Sequence, residues 1–160
     1  MKIPVVVKIA LLLVLTTLFY TWVGSLVPQK EVRPDKITPP IPTETTTEEL
    51  VELGAKIANG RGLCMTCHTI GEGTTGLRFP DLDGIATRAE TTIPGLNQVQ
   101  YLAQSLYEPD IYIVPGFNKG MPATTKAPIE LRDDEIIAVI AWLQSLGGTA
   151  DVTLETDVSY

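Results

Sequence analysis

Side chains that bind metals are scarce in this sequence of 160 residues. It contains two cysteines, one histidine and three methionines. Two cysteines and one histidine leave a structural zinc site one protein ligand short, and no second cluster exists to supply it. Basic residues are also few, with twelve Lys and Arg against nineteen Asp and Glu, which gives a net charge of -7. This deficit argues against nucleic-acid binding, which depends on basic patches.

The cysteines and the histidine lie together in one pentapeptide, Cys64-Met65-Thr66-Cys67-His68. The C-x-x-C-H pattern is typical of covalent haem attachment, in which each thiol forms a thioether to the porphyrin. The adjacent imidazole can then ligate the iron. We therefore predict one covalently bound haem c, attached through Cys64 and Cys67, with His68 as an iron ligand.

A dithiol redox pair is the alternative reading of the pentapeptide. Such motifs follow a strand in a βαβ pattern, whereas residues 58–63 are turn-like. Haem attachment would use both cysteines and leave none for a disulfide. It would also place the domain on the outer side of an energy-transducing membrane, where c-type cytochromes mature.

A run of nineteen uncharged residues, Ile9 to Val27, follows Lys2 and Lys8. As a helix it would span about 28 Å, close to the hydrocarbon thickness of about 30 Å. We predict a retained transmembrane anchor over residues 1–27 in the bacterial cytoplasmic membrane, with the lysines on the cytoplasmic side and the haem domain on the periplasmic side. A cleaved signal peptide, with a small-residue site at residues 23–25, is the alternative.

Three further segments follow the anchor. Residues 28–47 contain five prolines and three consecutive threonines, a composition that favours an extended linker. Residues 48–148 form the predicted haem domain. Residues 149–160 are polar and carry three acids, and we expect a flexible or partner-bound tail.

Apolar periodicity predicts an all-α domain. Helices are expected from about Thr47 to Ala58, from Gln98 to Glu108, and from Asp133 to the Gly147-Gly148 stop. Gly54 lies inside the first of these helices at a cost in helix propensity, so a packing reason is expected. We predict that it admits a close crossing by the last helix, which carries Trp142.

The segment from Thr69 to Ala89 is rich in glycine and is predicted to be a loop around one haem edge. Its two cations, Arg78 and Arg88, are candidates for hydrogen bonds to a haem propionate, because guanidinium matches carboxylate geometry. Solvated surface arginine is the alternative for each. The apolar residues 111–117 are interrupted by proline and glycine, which predicts a turn rather than a strand.

Met121 is the candidate for the sixth iron ligand. Met1 begins the membrane segment, and Met65 inside the pentapeptide cannot reach the opposite haem face. Pro122 holds Met121 in an extended conformation from which its thioether can project. A methionine that merely fills a gap in the core is the alternative, and ligation by Lys119 is a third.

The ordered motifs from Glu48 to Gly148 resemble those of class I c-type cytochromes, which are small, helical, mono-haem electron carriers. The resemblance implies three to five helices around one haem, with histidine and methionine as ligands. It rests on the Gly54 helix, the pentapeptide, Pro80-Asp81-Leu82, Gly120-Met121-Pro122 and Trp142. It also implies that the carbonyl of Pro80 orients the imidazole of His68. Two positions depart from the family pattern, because Ala58 replaces an aromatic residue and Phe79 replaces a glycine.

Within that family, the run from Tyr101 to Pro109 and the run from Tyr112 to Phe117 look like those of membrane-tethered cytochromes. Similar runs occur in mono-haem subunits of alternative complex III and in cytochrome domains of oxidase subunit II. The resemblance implies single-electron transfer in a respiratory or photosynthetic chain, without chemistry on a small-molecule substrate.

The protein is thus predicted to be an electron-transfer protein rather than an enzyme, either mobile or fixed as a subunit of a membrane complex. From Glu48 onward there are sixteen acids and seven basic residues, which would steer a mobile domain toward a basic docking surface. A haem sensor or enzyme with an open sixth coordination site is the alternative function.

Overall fold

A computed structural model describes residues 3–26, 39–71 and 78–160. The chain forms two units, residues 1–36 and residues 37–160. The described residues form five α-helices, one 3₁₀ helix and no strand, so the all-α prediction is confirmed. The helices are α1 (Val5–Leu26), α2 (Thr47–Asn59), α3 (Ile85–Thr92), α4 (Gln98–Tyr107) and α5 (Asp133–Ser145), and the 3₁₀ helix is Cys64–Thr66.

Helix α1 makes up most of the first unit and is long and apolar enough to cross a membrane. Its side chains are exposed along its whole length. The hydroxyls of Thr16, Thr17 and Thr21 donate to carbonyls one turn earlier, at 2.7, 2.9 and 2.8 Å. The helix is compatible with a membrane anchor or with a signal sequence. Lys2 and Val27, at the ends of the predicted anchor, lie outside the described residues.

Helix α2 begins at a capping box formed by Thr46 and Glu49. The backbone N–H of Glu49 donates to the hydroxyl of Thr46 at 3.3 Å, and the backbone N–H of Thr46 donates to the Glu49 carboxylate at 2.9 Å. These reciprocal bonds satisfy two donors at the helix start. The observed end at Asn59 lies one residue beyond the predicted end.

The central packing contact of the second unit is between α2 and α5. A Cβ added to Gly54 would lie 1.9 Å from the carbonyl oxygen of Ala138 and 2.8 Å from Cβ of Trp142. Only glycine permits this separation of the two backbones, so the predicted close crossing is confirmed. Helix α5 is almost entirely buried from Glu135 to Gln144 and forms the middle of the core.

Helix α3 was not expected from the sequence, which predicted a loop as far as Ala89. The glycine content of the segment suggested a loop, but the helix begins directly after Gly84, which has φ of +64°. Its buried residues are the small Ala86 and Ala89. Tertiary packing therefore stabilises a helix that the local pattern does not predict.

The prediction of a flexible C-terminal tail is wrong. Val152 is only 1% exposed and belongs to the hydrophobic core. The side-chain amide of Gln144, itself 1% exposed, donates to Asp151 at 2.6 Å and accepts from its backbone N–H at 3.1 Å. The hydroxyl of Thr47 donates to the carbonyl of Val152 at 3.1 Å. The acidic composition of residues 149–160 suggested a flexible tail, but an apolar side chain and several hydrogen bonds attach this segment to the domain.

The end of the predicted linker is also attached to the second unit. The backbone N–H of Ile41 donates to the carboxylate of Asp134 at 2.8 Å, and the side chain of Ile41 packs against the core. The remaining linker residues, 28–38, lie outside the described residues. The folded unit therefore includes residues that composition alone assigns to the linker.

Candidate haem site

The pentapeptide folds into a single compact turn. Leu63 has φ of +56° and directs the chain into the 3₁₀ helix, and the N–H of His68 then donates to the carbonyl of Cys64 at 2.9 Å. Cys64 is half-buried and Cys67 is exposed, and they form no disulfide with each other. Burial raises the pKa of the Cys64 thiol. One cavity of about 140 Å³ is lined by Cys64, Cys67 and His68.

The imidazole of His68 is held by the backbone of Pro80. Its Nδ1 lies 2.7 Å from the Pro80 carbonyl oxygen, the contact that the resemblance implies. A carbonyl oxygen can only accept, so Nδ1 carries a proton, and in the neutral imidazole this leaves the lone pair on Nε2. Histidines that ligate a metal through one ring nitrogen typically donate the N–H of the other nitrogen to a carbonyl or carboxylate, as His68 does here.

Asp81 stabilises the backbone on both sides of the His68–Pro80 contact and was not predicted as a site residue. It is 3% exposed, and its carboxylate accepts from the Thr69 hydroxyl at 2.7 Å and from the backbone N–H groups of Gly71 and Asp83 at 3.0 and 2.7 Å. These bonds join the segment after His68 to the segment after Pro80. The only sequence signal for Asp81 is its place in the Pro-Asp-Leu tripeptide.

Met121 lies in an extended loop and is half-buried. It lines the same 140 Å³ cavity as His68 and the cysteines, and it also lines an adjoining cavity of about 190 Å³. The residues common to both cavities are His68, Phe79, Gly120 and Met121. The two predicted ligands therefore lie in the walls of both cavities, which we together call the cleft.

The walls of the larger cavity are mainly apolar, as a porphyrin ring requires. Helices α3, α4 and α5 contribute Ile85, Leu102, Leu106 and Leu143. The ring of Tyr101 meets that of Tyr112 edge-on, with centroids 6.1 Å apart, and burial raises the pKa of Tyr101. Both tyrosines were noted in the sequence only as part of the resemblance, since nothing in their local pattern places them in a cavity.

The structure separates the two candidate arginines. Arg88 lines the larger cavity together with the polar residues Thr92, Tyr101 and Ser105. Its guanidinium donates to the carbonyl of Asp81 at 2.7 Å and also to that of Asp83. Arg78 and Arg88 are both exposed, but the guanidinium carbon of Arg78 lies 5.4 Å from the centroid of the Phe79 ring, a cation–π contact.

Phe79 occupies the position where the family often has glycine. Its ring centroid lies 6.2 Å from that of His68, and a Cβ on Gly120 would lie 3.5 Å from the ring. The side chain therefore packs between the histidine segment and the methionine loop. Gly73 and Gly76 of the predicted glycine-rich loop lie outside the described residues.

A helical domain with a C-x-x-C-H turn, an oriented imidazole and a thioether on one apolar cleft is a class I c-type cytochrome. The comparison with protein families agrees, because a family model described as cytochrome c matches residues 51–147. This match covers more than half of the chain, which therefore belongs to the cytochrome c family. The family binds haem c and transfers electrons between redox proteins. A comparison with curated proteins finds no significant match.

Proposed function

We propose that this protein is a membrane-anchored electron carrier with one haem c, attached through Cys64 and Cys67 and ligated by His68 and Met121. The observation that carries the proposal is the shared cleft, in which both ligand candidates line two adjoining cavities and one cavity also borders both cysteines. These side chains fit a haem c. The thiols of Cys64 and Cys67 can form thioether bonds to the porphyrin, and the imidazole of His68 and the sulfur of Met121 can ligate the iron.

When bound, the haem supplies one iron that alternates between its ferrous and ferric states. The residues of the chain set the conditions for that exchange. His68 keeps its proton on Nδ1 through Pro80, which leaves Nε2 for ligation, and Met121 as the second ligand raises the reduction potential. Two protein ligands leave no position for a substrate, and this suits a carrier rather than an enzyme.

Arg88 is our first choice for a contact with a haem propionate. It is the arginine that lines the larger cavity, and it does so beside the hydroxyl groups of Thr92, Tyr101 and Ser105. A carboxylate there would meet a guanidinium and several donors. Arg78 is the weaker candidate, because its described contact is with the Phe79 ring.

The anchor is supported by α1. Its 22 residues would span about 33 Å, and the hydroxyls of Thr16, Thr17 and Thr21 are hydrogen-bonded within the helix. Satisfied polar groups are what a lipid environment requires. We place the haem domain on the outer face of the bacterial cytoplasmic membrane. The mass of the mature protein tests retention, since loss of about 25 residues would indicate a cleaved signal sequence.

The partners are proposed to be protein donors and acceptors of a respiratory or photosynthetic chain. Support comes from the family and from the resemblance of residues 101–117 to tethered cytochromes of larger complexes. Gentle detergent extraction followed by size analysis tests whether the protein is a fixed subunit. Co-migration with other haem or iron–sulfur subunits is expected, and a lone small species would indicate a mobile carrier.

Absorption spectroscopy tests the ligand set. The ferric holoprotein should show the band of methionine-to-iron ligation, and the ferrous form should bind carbon monoxide weakly. Met121→Ala should remove the band, lower the potential and permit carbon monoxide binding. Met65→Leu is the matched control and should keep the band. Avid binding by the unaltered protein without a methionine band would instead support a sensor or enzyme with an open site.

A further inference from the structure

Arg61 lies three residues before Cys64 and connects the haem-attachment segment to two distant parts of the chain. Its guanidinium forms an ion pair with the carboxylate of Glu135 on α5. The same guanidinium donates to the backbone carbonyl of Glu130 at 2.9 Å. Arg61 therefore holds the start of the attachment segment against both the last helix and the loop that precedes it.

Glu135 is a fixed point for this contact. Its side chain is 3% exposed, and its second oxygen accepts from the backbone N–H of Arg132 at 3.0 Å. The Arg132 guanidinium lies 3.5 Å from the same carboxylate. A buried carboxylate with several donors is held rigidly, because each lost partner leaves charge unsatisfied.

Glu130 lies at the end of the loop that carries Met121. The N–H of Leu131 donates to the carbonyl of Thr124 at 2.9 Å, which closes residues 124–131, the part of the loop that follows Met121. Thr124, three residues after Met121, in turn donates to the carbonyl of Leu106 of α4. Glu130 has φ of +51°, a left-handed conformation that side chains disfavour. An external hydrogen bond to its carbonyl stabilises this conformation and therefore the closed end of the loop.

We infer that Arg61 is a positioning residue for methionine ligation. Arg61 contacts both the Glu135 carboxylate and the Glu130 carbonyl. It thereby couples the Cys64–His68 segment to the Met121 loop and holds the thioether of Met121 at the cleft. This inference rests on the proposed function, in which Met121 is an iron ligand. A merely structural ion pair would change the global stability of the domain without selectively releasing the methionine.

Urea titration of the full-length ferric holoprotein at constant pH separates these cases. Far-ultraviolet circular dichroism follows the helices, and the methionine-to-iron band follows the ligand. In Arg61→Ala the band should be lost at a lower urea concentration than the helices, with an equilibrium constant for the closed loop lowered about tenfold. Mass analysis should show that covalent haem is retained.

Three variants complete the test. Arg61→Lys keeps the charge but lacks the planar group that reaches two acceptors, so an intermediate effect is expected. Glu135→Gln should resemble it. Gln144→Ala is the control, because Gln144 is equally buried on α5 but bonds to Gln98 and Asp151, away from the methionine loop. The band and the helices should be lost together in this control.

The outcomes distinguish the inference from the proposed function. If the unaltered protein lacks the methionine band, Met121 is not a ligand and both are overturned. If the band is present but Arg61→Ala and Arg61→Lys lose it together with the helices, as the Gln144→Ala control does, the positioning role alone is overturned. Early loss of the band in either arginine variant supports it.

Discussion

The backbones of Gly54 and Ala138 lie so close that no side chain fits between them. A Cβ at Gly54 would lie 1.9 Å from the Ala138 carbonyl oxygen, well inside van der Waals contact. This contact sets the distance between α2, which leads into the pentapeptide, and α5, which forms one wall of the cleft.

Gly54→Ala should therefore destabilise the domain. Alanine favours the helix by about 1 kcal/mol, but separating two packed backbones costs about 3 kcal/mol or more. Urea unfolding of the holoprotein measures the difference. Glu52→Ala, an exposed change on the same helix, should have little effect. Equal stabilities for the two variants would contradict the close crossing.

Asp81→Asn should weaken the segment that orients His68. The carboxylate accepts from three donors, and an amide would turn its own N–H groups toward one or more of them. Leaving such groups unsatisfied costs about 1–3 kcal/mol. The free energy of unfolding measures this cost. The exposed Asp83→Asn is the control, and a similar loss there would argue against a special role of Asp81.

Arg88→Gln should lower the reduction potential more than Arg78→Gln. A positive charge near the iron opposes oxidation, so its removal favours the ferric state, by an amount on the order of 20 mV for an exposed group. Arg88 lines the cleft, whereas Arg78 stacks on Phe79. Redox titration at low and high salt measures the difference, which screening should reduce. A larger shift in Arg78→Gln would reverse our choice.

Asp134 should make stability depend on pH. Burial raises its pKa, but hydrogen bonds from Arg132 and from the N–H of Ile41 outweigh burial, so the pKa lies below its ordinary value of 3.8. A carboxyl that is more acidic when folded stabilises the protein above its unfolded pKa. This contribution is lost as the pH falls below 3.8 and through the folded-state value.

Asp134→Asn is expected to lower the unfolding free energy at pH 7 by about 1 kcal/mol. The deficit relative to the unaltered protein should shrink at acidic pH, where the protonated Asp134 is as neutral as the asparagine that replaces it. Denaturant titrations at pH 7 and at an acidic pH below 3.8 measure this deficit. A deficit that stays constant with pH would show that the charge of Asp134 has no stabilising role.

Val152→Ala tests the attachment of the C-terminal residues. Removing two buried methyl groups from a side chain that is 1% exposed should cost about 2 kcal/mol. The exposed Glu155→Ala is the control and should change stability by less than about 0.5 kcal/mol. Thermal or urea unfolding distinguishes the two. A negligible effect of Val152→Ala would restore the interpretation of a flexible tail.

Local patterns in the sequence determine several features of this protein without help from the rest of the chain. The pentapeptide predicts covalent haem attachment because its two thiols and its imidazole lie within five consecutive residues. The apolar run predicts α1, and the apolar periodicity of α2, α4 and α5 predicts those helices closely. Gly54 was singled out because a glycine inside a helix requires a packing reason, and Met121 because the other two methionines are excluded by position.

Only the tertiary structure decided the remaining features, because they depend on residues far apart in the sequence. Helix α3, whose buried residues are two alanines, and the C-terminal residues are stabilised by packing against the rest of the domain. Which of Arg78 and Arg88 lines the larger cavity depends on where residues 78–92 pack. The link from Arg61 to Glu130 and Glu135 joins segments about seventy residues apart, and no spacing in the sequence predicts it.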